Sequence, residues 1–597
     1  MQFEMKRMTA ACVTALAVAG CGGGGSNTAS GGGATAPART LTLSGTAATG
    51  LAMSGGAVIV KCSSGTGTAT TGASGSYTVS ITDGVLPCMI EVSGTVDGTE
   101  IKLHSITEAG TASGNNIAAI ANVTPLTELI VAKLAAAIPS DLFASFNSGT
   151  QISSADLTAA TTAVVTALKE ATGIDLGSID PFKTTLVAAT PSAPNAGNDY
   201  DKALDALKEK VSIETLPQVV AQVAASATSS ATDSDTVTLK DVMNGVSSGA
   251  LEGCPSALSG KYRTIDYFGR TRVAYLDFNK DNPGWFSPDK ATKIFPITKS
   301  STDACRFTAA GPNTAGENVT YDIVIGRSGV GAYTARNTTR NTATVGYIFP
   351  VQAHALANVE GEWNFVQSGV SPLENSLGEF DHFYGKLGLN AAGSVAICEY
   401  APDGSCAPDD EAPTSIVGRT DGGFNLTDGT FTVPVYAYKA PNGSVVLFGT
   451  TNPEGATDAS VERSVIVATR VQTLSLPAVS TTESKYWDLT QIRRTLVQST
   501  PPTVNVTENI GSDGTTVIET LSANSFKRRR TSDGREDILT INSPFNGWRS
   551  RAPASGAPGM NQLMVNGLGL SVATNSGPTS PTDGYQGHFY VISVVRP

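Results

Sequence analysis

The four histidines are the first residues to question for chemistry: His104, His354, His382 and His588. They fall in different segments, and neither HExxH nor HxH occurs, so no local spacing brings two imidazoles onto one metal ion. His382 lies in "EFDHFYGKL" beside Asp381 and two aromatics. Such a setting can make a polar site, although a strand-end histidine is the plainer reading. Gly245, Val246, Ser247, Ser248 and Gly249 spell the serine-hydrolase elbow. That device needs a strand before the serine and a helix after it. Here "TLKDVMN" before it reads as helix and "ALEGCPSALSG" after it reads as linker, so the stretch is expected to be a helix end.

Three charged stretches remain. "DFNKDN" from Asp277 begins like a calcium loop but has Asn282 where glycine is needed and Pro288 where a bidentate acid is needed, so it is expected to be a turn. "CEYAPDGSCAPDDEAP" carries Asp403, Asp409, Asp410 and Glu411 on a loop that Cys398 and Cys406 can staple, and a solvated acidic loop is expected. "SFKRRRTSDGRED" gathers Lys527, Arg528, Arg529, Arg530 and Arg535. On a strand, alternate residues face opposite ways, so about half of these charges share a face. "SDGR" reads as the turn of a hairpin, and bidentate arginine contacts to a phosphate-rich partner are the functional alternative. No catalytic residue is assigned, no metal ligand, and no cofactor.

Cysteines set the compartment. Cys12 sits in an apolar leader that starts with Lys6 and Arg7 and is too short to cross a bilayer, which takes roughly 20 apolar residues. Cys21 follows it, and Gly22 to Ala38 are almost wholly Gly, Ser, Ala, Thr and Asn, a composition that makes a flexible tether. Cys62, Cys88, Cys254, Cys305, Cys398 and Cys406 remain, an even number in an oxidising compartment. Several connectivities are open to six cysteines. Sequence neighbours fall within one expected domain, which favours 62 with 88, 254 with 305 and 398 with 406. The run Val18, Ala19, Gly20, Cys21 resembles the lipobox of bacterial lipoproteins. The resemblance implies cleavage before Cys21 and a lipid on that residue; with Gly22 rather than aspartate next, it implies the outer membrane, on a side left open.

The elements that must carry these residues are mostly strands. Charged residues make up only 15 %, and 52 acids outweigh 40 lysines and arginines for a net charge of -12. That balance gives nucleic acid no electrostatic handle. Residues 40–110 alternate in short strands. The stretch "GTAATGLAMSGGAVIVKCSSGTGTATTGASGSYTVSI", with Thr71, Gly75 and Tyr77 in its hairpin, resembles the carboxypeptidase-regulatory or transthyretin-like domain. The resemblance implies a small β-sandwich acting as a spacer or binding unit. From residue 116 to 250 the period turns helical: Thr124 caps and Pro125 opens one helix, Ser153 caps and Gly173 ends another, and Tyr200, Leu204, Leu207 and Val211 share a face of a third.

Beyond Cys254 the chain returns to strands and echoes itself. "LSGKYRTI" at Leu258 and "VEGEWNFV" at Val359 are 101 residues apart, and "ESKYWDLT" at Glu483 is a looser third copy. The opening Gly-x-aromatic strands resemble those of lipocalin-type barrels, in which the aromatic closes one end. The expected organisation is a signal peptide at 1–20, a tether at 21–39, a sandwich at 40–110 and a helical region at 116–250. Three β units follow, at 254–355, 356–480 and 481–597. The fold class is mainly β and multidomain, with a small sandwich, a helical segment, and two or three sandwich or lipocalin-like barrel units. The function read from this is a non-catalytic binding or scaffold lipoprotein of the outer membrane, joined to the membrane through Cys21 and to an unidentified envelope or extracellular partner. One alternative is a carrier of an apolar small molecule in the C-terminal units. Another is a hydrolase with dispersed Ser, His and Asp.

Overall fold

The computed structural model describes residues 39–96, 98–227, 235–248, 251, 253–279, 282–371, 379–401, 405–408, 412–452, 463–496, 503–553, 559–565, 567–575 and 585–597. Cys21, its leader and its tether lie outside the described residues. The chain from Arg39 onward is one compact unit. It opens with two four-stranded sheets. One holds Ser76–Thr82, Thr40–Thr46, Asn116–Ile120 and Thr111–Ser113; the other holds Thr66–Thr70, Ala57–Ser64, Val85–Val96 and Thr99–Thr107. Strict alternation turns Tyr77, Val79 and Ile81 inward from Ser76–Thr82, as a half-buried strand requires.

The helices share the sandwich's core. Pro125–Ala135 starts at Thr124, whose side chain accepts from the Thr127 amide while Thr127 reaches back, a reciprocal cap. Ser154–Thr172 is capped by Ser153 and stops at Gly173 in the left-handed region. Tyr200, Leu204 and Leu207 of Asp199–Lys210 are buried, and Leu157, Val164 and Leu168 pack with them and with Leu41, Val60 and Ile90 of the sheets. Sandwich and helices therefore form one hydrophobic body.

The second half is built around two closed antiparallel barrels and one open sheet. The first barrel runs through eight strands from Gly260–Asp266 to Thr342–Pro350, its last strand pairing with its first. A nine-stranded sheet follows, spanning Gly361–Ser371 to Arg463–Arg470, and its margins touch where Ser394 bridges Ser415. The second barrel runs from Ser484–Leu496 to Tyr585–Val595, again closed last strand on first. The mainly β architecture is what the alternating pattern predicts; of the sandwich or barrel units it left open, two are closed barrels with a nearly closed sheet between them.

The internal echo has a structural counterpart. Tyr262 donates its hydroxyl to the carbonyl of Leu258 at 2.8 Å, and Trp363, one repeat later, donates Nε1 to the carbonyl of Val359 at 2.9 Å. In the third copy Trp487 faces outward and donates instead to Asp303 of the first barrel at 3.0 Å. Outward apolar residues of the second barrel, among them Leu489, Trp548, Leu563 and Ile592, join one core with the first barrel's Tyr347 and the sheet's Phe448. Tyr347 and Tyr590 meet there hydroxyl to hydroxyl at 2.5 Å, and Ser328 donates to the carbonyl of Leu568 at 2.8 Å.

Candidate functional site

Because the second barrel spends its outward apolar residues on its neighbours, the opposite parity faces its lumen. Strand Ser484–Leu496 turns Tyr486, Asp488 and Thr490 inward, and Thr503–Thr520 adds Gly511, Asp513 and Thr515. Ser525–Arg530 contributes Arg528 and Arg530, and Trp548–Arg551 contributes Arg549 and Arg551. These are small, polar or charged groups, and they leave a cavity of about 870 Å³. Eight strands make a lumen that side chains can just fill or that can hold one small ligand, and this volume lies within the range of roughly 300–1,000 Å³ usual for small-molecule sites. Gly511 marks the open space: a Cβ placed on it would meet only the Asn509 amide, at 4.0 Å.

The first barrel differs at the same level. Its lumen holds Trp285, Phe295, Tyr321 and Tyr333 in mutual contact, with ring centroids 4.8 Å apart for Trp285 and Tyr321 and 5.7 Å for Tyr321 and Tyr333. Ala309, Ala335 and Gly346 stand opposite these rings. A Cβ on Gly346 would lie 2.6 Å from Tyr333, so only glycine admits the ring.

The charge in the second lumen is unevenly partnered. Asp537 accepts hydrogen bonds from Arg535 at 3.1 Å and Arg551 at 3.2 Å and forms an ion pair with Arg528 at 3.5 Å. Arg530 pairs with Asp513, its Nε at 2.8 Å. Arg549 has no carboxylate partner among the described residues. Its Nε is buried without an acceptor, and the guanidinium lies 5.6 Å from the Phe526 ring. Burial, with the charge of Arg528 added, pulls its pKa down to about 10. For Asp537 burial opposes the charged form, but the hydrogen bond from Arg535 and the charges of Arg528 and Arg551 outweigh it, and the pKa falls below the usual range. Asp488 is raised, because burial outweighs its hydrogen bond from Ser593. Among the described residues five arginines and two aspartates line the lumen, and Asp537 and Asp533 pair with these arginines from beside it.

Across from the arginines the wall is apolar. Met560, Met564, Ala573, Phe589 and Val591 line it from the strands Met560–Val565, Leu570–Asn575 and Tyr585–Val595. They continue into a cluster with Phe526, Leu539 and Ile541 at the foot of the arginine hairpin, joined by Leu474 and Leu476 from the connector that precedes the barrel. Asn542 fixes that connector, accepting from the Leu474 amide at 2.8 Å and donating to its carbonyl at 2.9 Å.

No protein-family model matches this chain, and no curated protein matches it. Solved structures give remote likenesses. A protein of unknown function from the DUF3598 family of Nostoc punctiforme is 11 % identical over 40 % of this chain and 97 % of its own, with a TM-score of 0.15. The isotype 1 transferrin binding protein B of serogroup B Neisseria meningitidis is 10 % identical over 55 % of this chain and 65 % of its own, at 0.19. A putative outer membrane protein of Bacteroides fragilis is 8 % identical over 40 % and 98 %, at 0.13. At such TM-scores these likenesses carry no conclusion about this chain.

Most residues singled out by sequence lie elsewhere, but His588 and the arginine stretch line the cavity. Cys62–Cys88, Cys254–Cys305 and Cys398–Cys406 are disulfides. Asp403, Asp409, Asp410 and Glu411 lie outside the described residues. Asp277 accepts from Ser259 at 3.2 Å and pairs with Lys290 at 2.8 Å. Ser247 ends the helix Leu239–Ser247 and Ser248 caps it, and no strand precedes them. His104 is buried between two carboxylates, its Nδ1 2.9 Å from Glu128 and its Nε2 3.2 Å from Glu91. Burial works against its charge, yet the two glutamates outweigh it and raise the pKa to about 9. His354 meets Gln352 at 2.9 Å and is lowered to about 4 by burial and then Lys439. His382 meets Ser368 at 2.9 Å across adjacent strands, with His588 5.9 Å away ring to ring. Burial first, then His588, depresses it to about 3, which makes a weak general base. Among the described residues no group of three His, Cys, Asp or Glu could hold a metal ion, and no helix is long and apolar enough to cross a membrane.

Of His588 and the arginine stretch, the stretch contributes more to the cavity wall. It forms the hairpin of Ser525–Arg530 and Glu536–Ile541, with Arg528 and Arg530 turned inward and Arg529 exposed to pair with Glu536 at 2.7 Å. Sequence reasoning missed Arg549 and Arg551. The signal was there in "GWRSR", where two arginines two apart must share a strand face.

Proposed function

We propose that this chain is a non-catalytic ligand-binding lipoprotein of the bacterial outer membrane, held by a lipid on Cys21, with the second barrel as its binding chamber. The observation that carries the reading is the hollow lumen itself. Protein interiors are close-packed, and open volume costs stability. The first barrel shows the same closure filled with rings, while the second keeps about 870 Å³ and places an unpaired guanidinium on its wall. The sandwich that opens at residue 40 is read as a transthyretin-like spacer, with the helices packed on it.

The earlier alternative of an apolar cargo finds one supporting observation, the wall of Met560, Ala573, Phe589 and Val591. It is incomplete as a description, because the facing wall is arginine-rich. Native mass spectrometry of the full chain purified from its envelope fraction tests the chamber. A bound small molecule is expected, and Gly511→Phe, which places a ring in the lumen, should lose it. An unliganded chain, or an adduct that survives Gly511→Phe, overturns the reading. Cys21→Ser should in parallel release the chain from the membrane fraction.

A further inference from the structure

Resting on that reading of the second barrel, we propose that its ligand is an anionic amphiphile: a phosphate monoester carried on an apolar chain. The head would lie among Arg528, Arg549 and Arg551 and the body against Met560, Ala573 and Phe589.

Three observations select this class. The first is charge count. One carboxylate, Asp537, serves Arg528, Arg535 and Arg551 together, and Arg549 has none, so among the described residues the lumen holds more positive than negative groups. A buried guanidinium without an acceptor is costly to keep and is satisfied by an anion entering the site. A phosphate monoester brings nearly two negative charges at neutral pH and three strong acceptor oxygens. Planar guanidinium forks bind such oxygens bidentately.

The second is placement. Arg528 and Arg551 share Asp537, and the charge of Arg528 lowers the pKa of both Arg549 and Arg551, so the three form one cationic patch. Arg549 also borders the apolar region: its guanidinium lies over Phe526, and its register neighbours across the next two strands are Gln562 and then Ala573. The third is the unpaired Oε1 of Gln562, buried beside Arg549, whose amide nitrogen is already committed to Ser571 at 2.8 Å. That oxygen accepts a hydroxyl or a protonated phosphate oxygen at the junction of head and body.

Isothermal titration calorimetry on the full chain carrying Cys21→Ser, which needs no detergent, tests the class with three probes: dodecyl phosphate below its critical micelle concentration, dodecanol below its solubility limit, and inorganic phosphate. Dodecyl phosphate should bind once per chain, at least tenfold more tightly than either of the others. Arg549→Gln should weaken it at least tenfold and leave dodecanol unchanged, and Arg549→Lys should recover only part of the loss. Equal binding of dodecanol overturns the anionic head while leaving the chamber standing. Equal binding of inorganic phosphate overturns the amphiphile. Silence from all three probes, with an adduct present in native mass spectrometry, shows the ligand class to be wrong; silence with no adduct removes the chamber reading itself. Should Arg549→Gln fail to fold, dodecyl phosphate and dodecanol still decide, because they differ only in the head.

Discussion

Two barrels in one chain close with the same number of strands and the same pairing of last on first, yet one is solid and the other hollow. In the first, Gly346, Ala309 and Ala335 shrink so that Tyr333, Tyr321, Trp285 and Phe295 can meet in the middle. In the second, Gly511 and Ser571 are small too, but their register partners are Asp488 and Met564 and, among the described residues, no aromatic ring stands beside them. The opening tyrosines state the same contrast. Tyr262 is fully buried and hydrogen-bonded to the chain that leads into its barrel, while Tyr486 stands half-buried on the cavity wall. Backbone closure does not decide whether an eight-stranded barrel binds; pairing of small with large between neighbouring strands on the inner face does.

That contrast can be broken from either side. The largest effect should come from Trp285→Ala, which empties part of the first barrel at a cost of about 3–5 kcal/mol in chemical denaturation. Tyr486→Ala, at a wall that is already open, should cost well under half as much. Equal costs would show that the two lumens are not packed differently. A smaller effect tests complete against incomplete charge pairing. His104, flanked by Glu91 and Glu128, has its pKa raised to about 9, so its contribution is fully present below about pH 6.5 and is lost as pH climbs through 9. The loss should be on the order of 2–3 kcal/mol. It should appear as a falling melting temperature between pH 7 and 10, and His104→Gln should flatten that slope. An unchanged slope in the variant would remove the assignment. The smallest effect has the opposite sign. Arg549→Leu should stabilise the unliganded chain by about 1 kcal/mol, because it removes a guanidinium that lacks an acid. A clear loss of stability would mean that Arg549 serves the fold rather than a ligand.

Much of the architecture was legible from local pattern. Tyr77, Val79 and Ile81 announce a half-buried strand, and Thr124 before Pro125 announces a helix start, because each depends on neighbours a few residues away. The inward half of "KRRR" was legible for the same reason. What the lumen contains was not. Whether Tyr486 or Trp487 turns inward depends on a register set by Tyr585–Val595, about a hundred residues downstream, and the cavity is a property of eight strands summed around a closure. His382 and Ser368 met across a hairpin whose pairing no spacing rule encodes, and the meeting produced a buried neutral pair.

The connector that lends Leu474 and Leu476 to the second barrel has a consequence for how this chain can be divided. A fragment beginning at Ser484 would start with its first strand intact and part of its filling missing, leaving Phe526, Leu539 and Ile541 uncovered. A portable piece must take in the connector, and the barrel's outward face shares one core with Val465 and Val467 of Arg463–Arg470. That strand sits in the middle of the nine-stranded sheet, between Gly361–Ser371 and Val445–Thr450. Chamber and sheet are therefore a single heritable module: a transplant that carries one without the other would deliver a vessel with a leak.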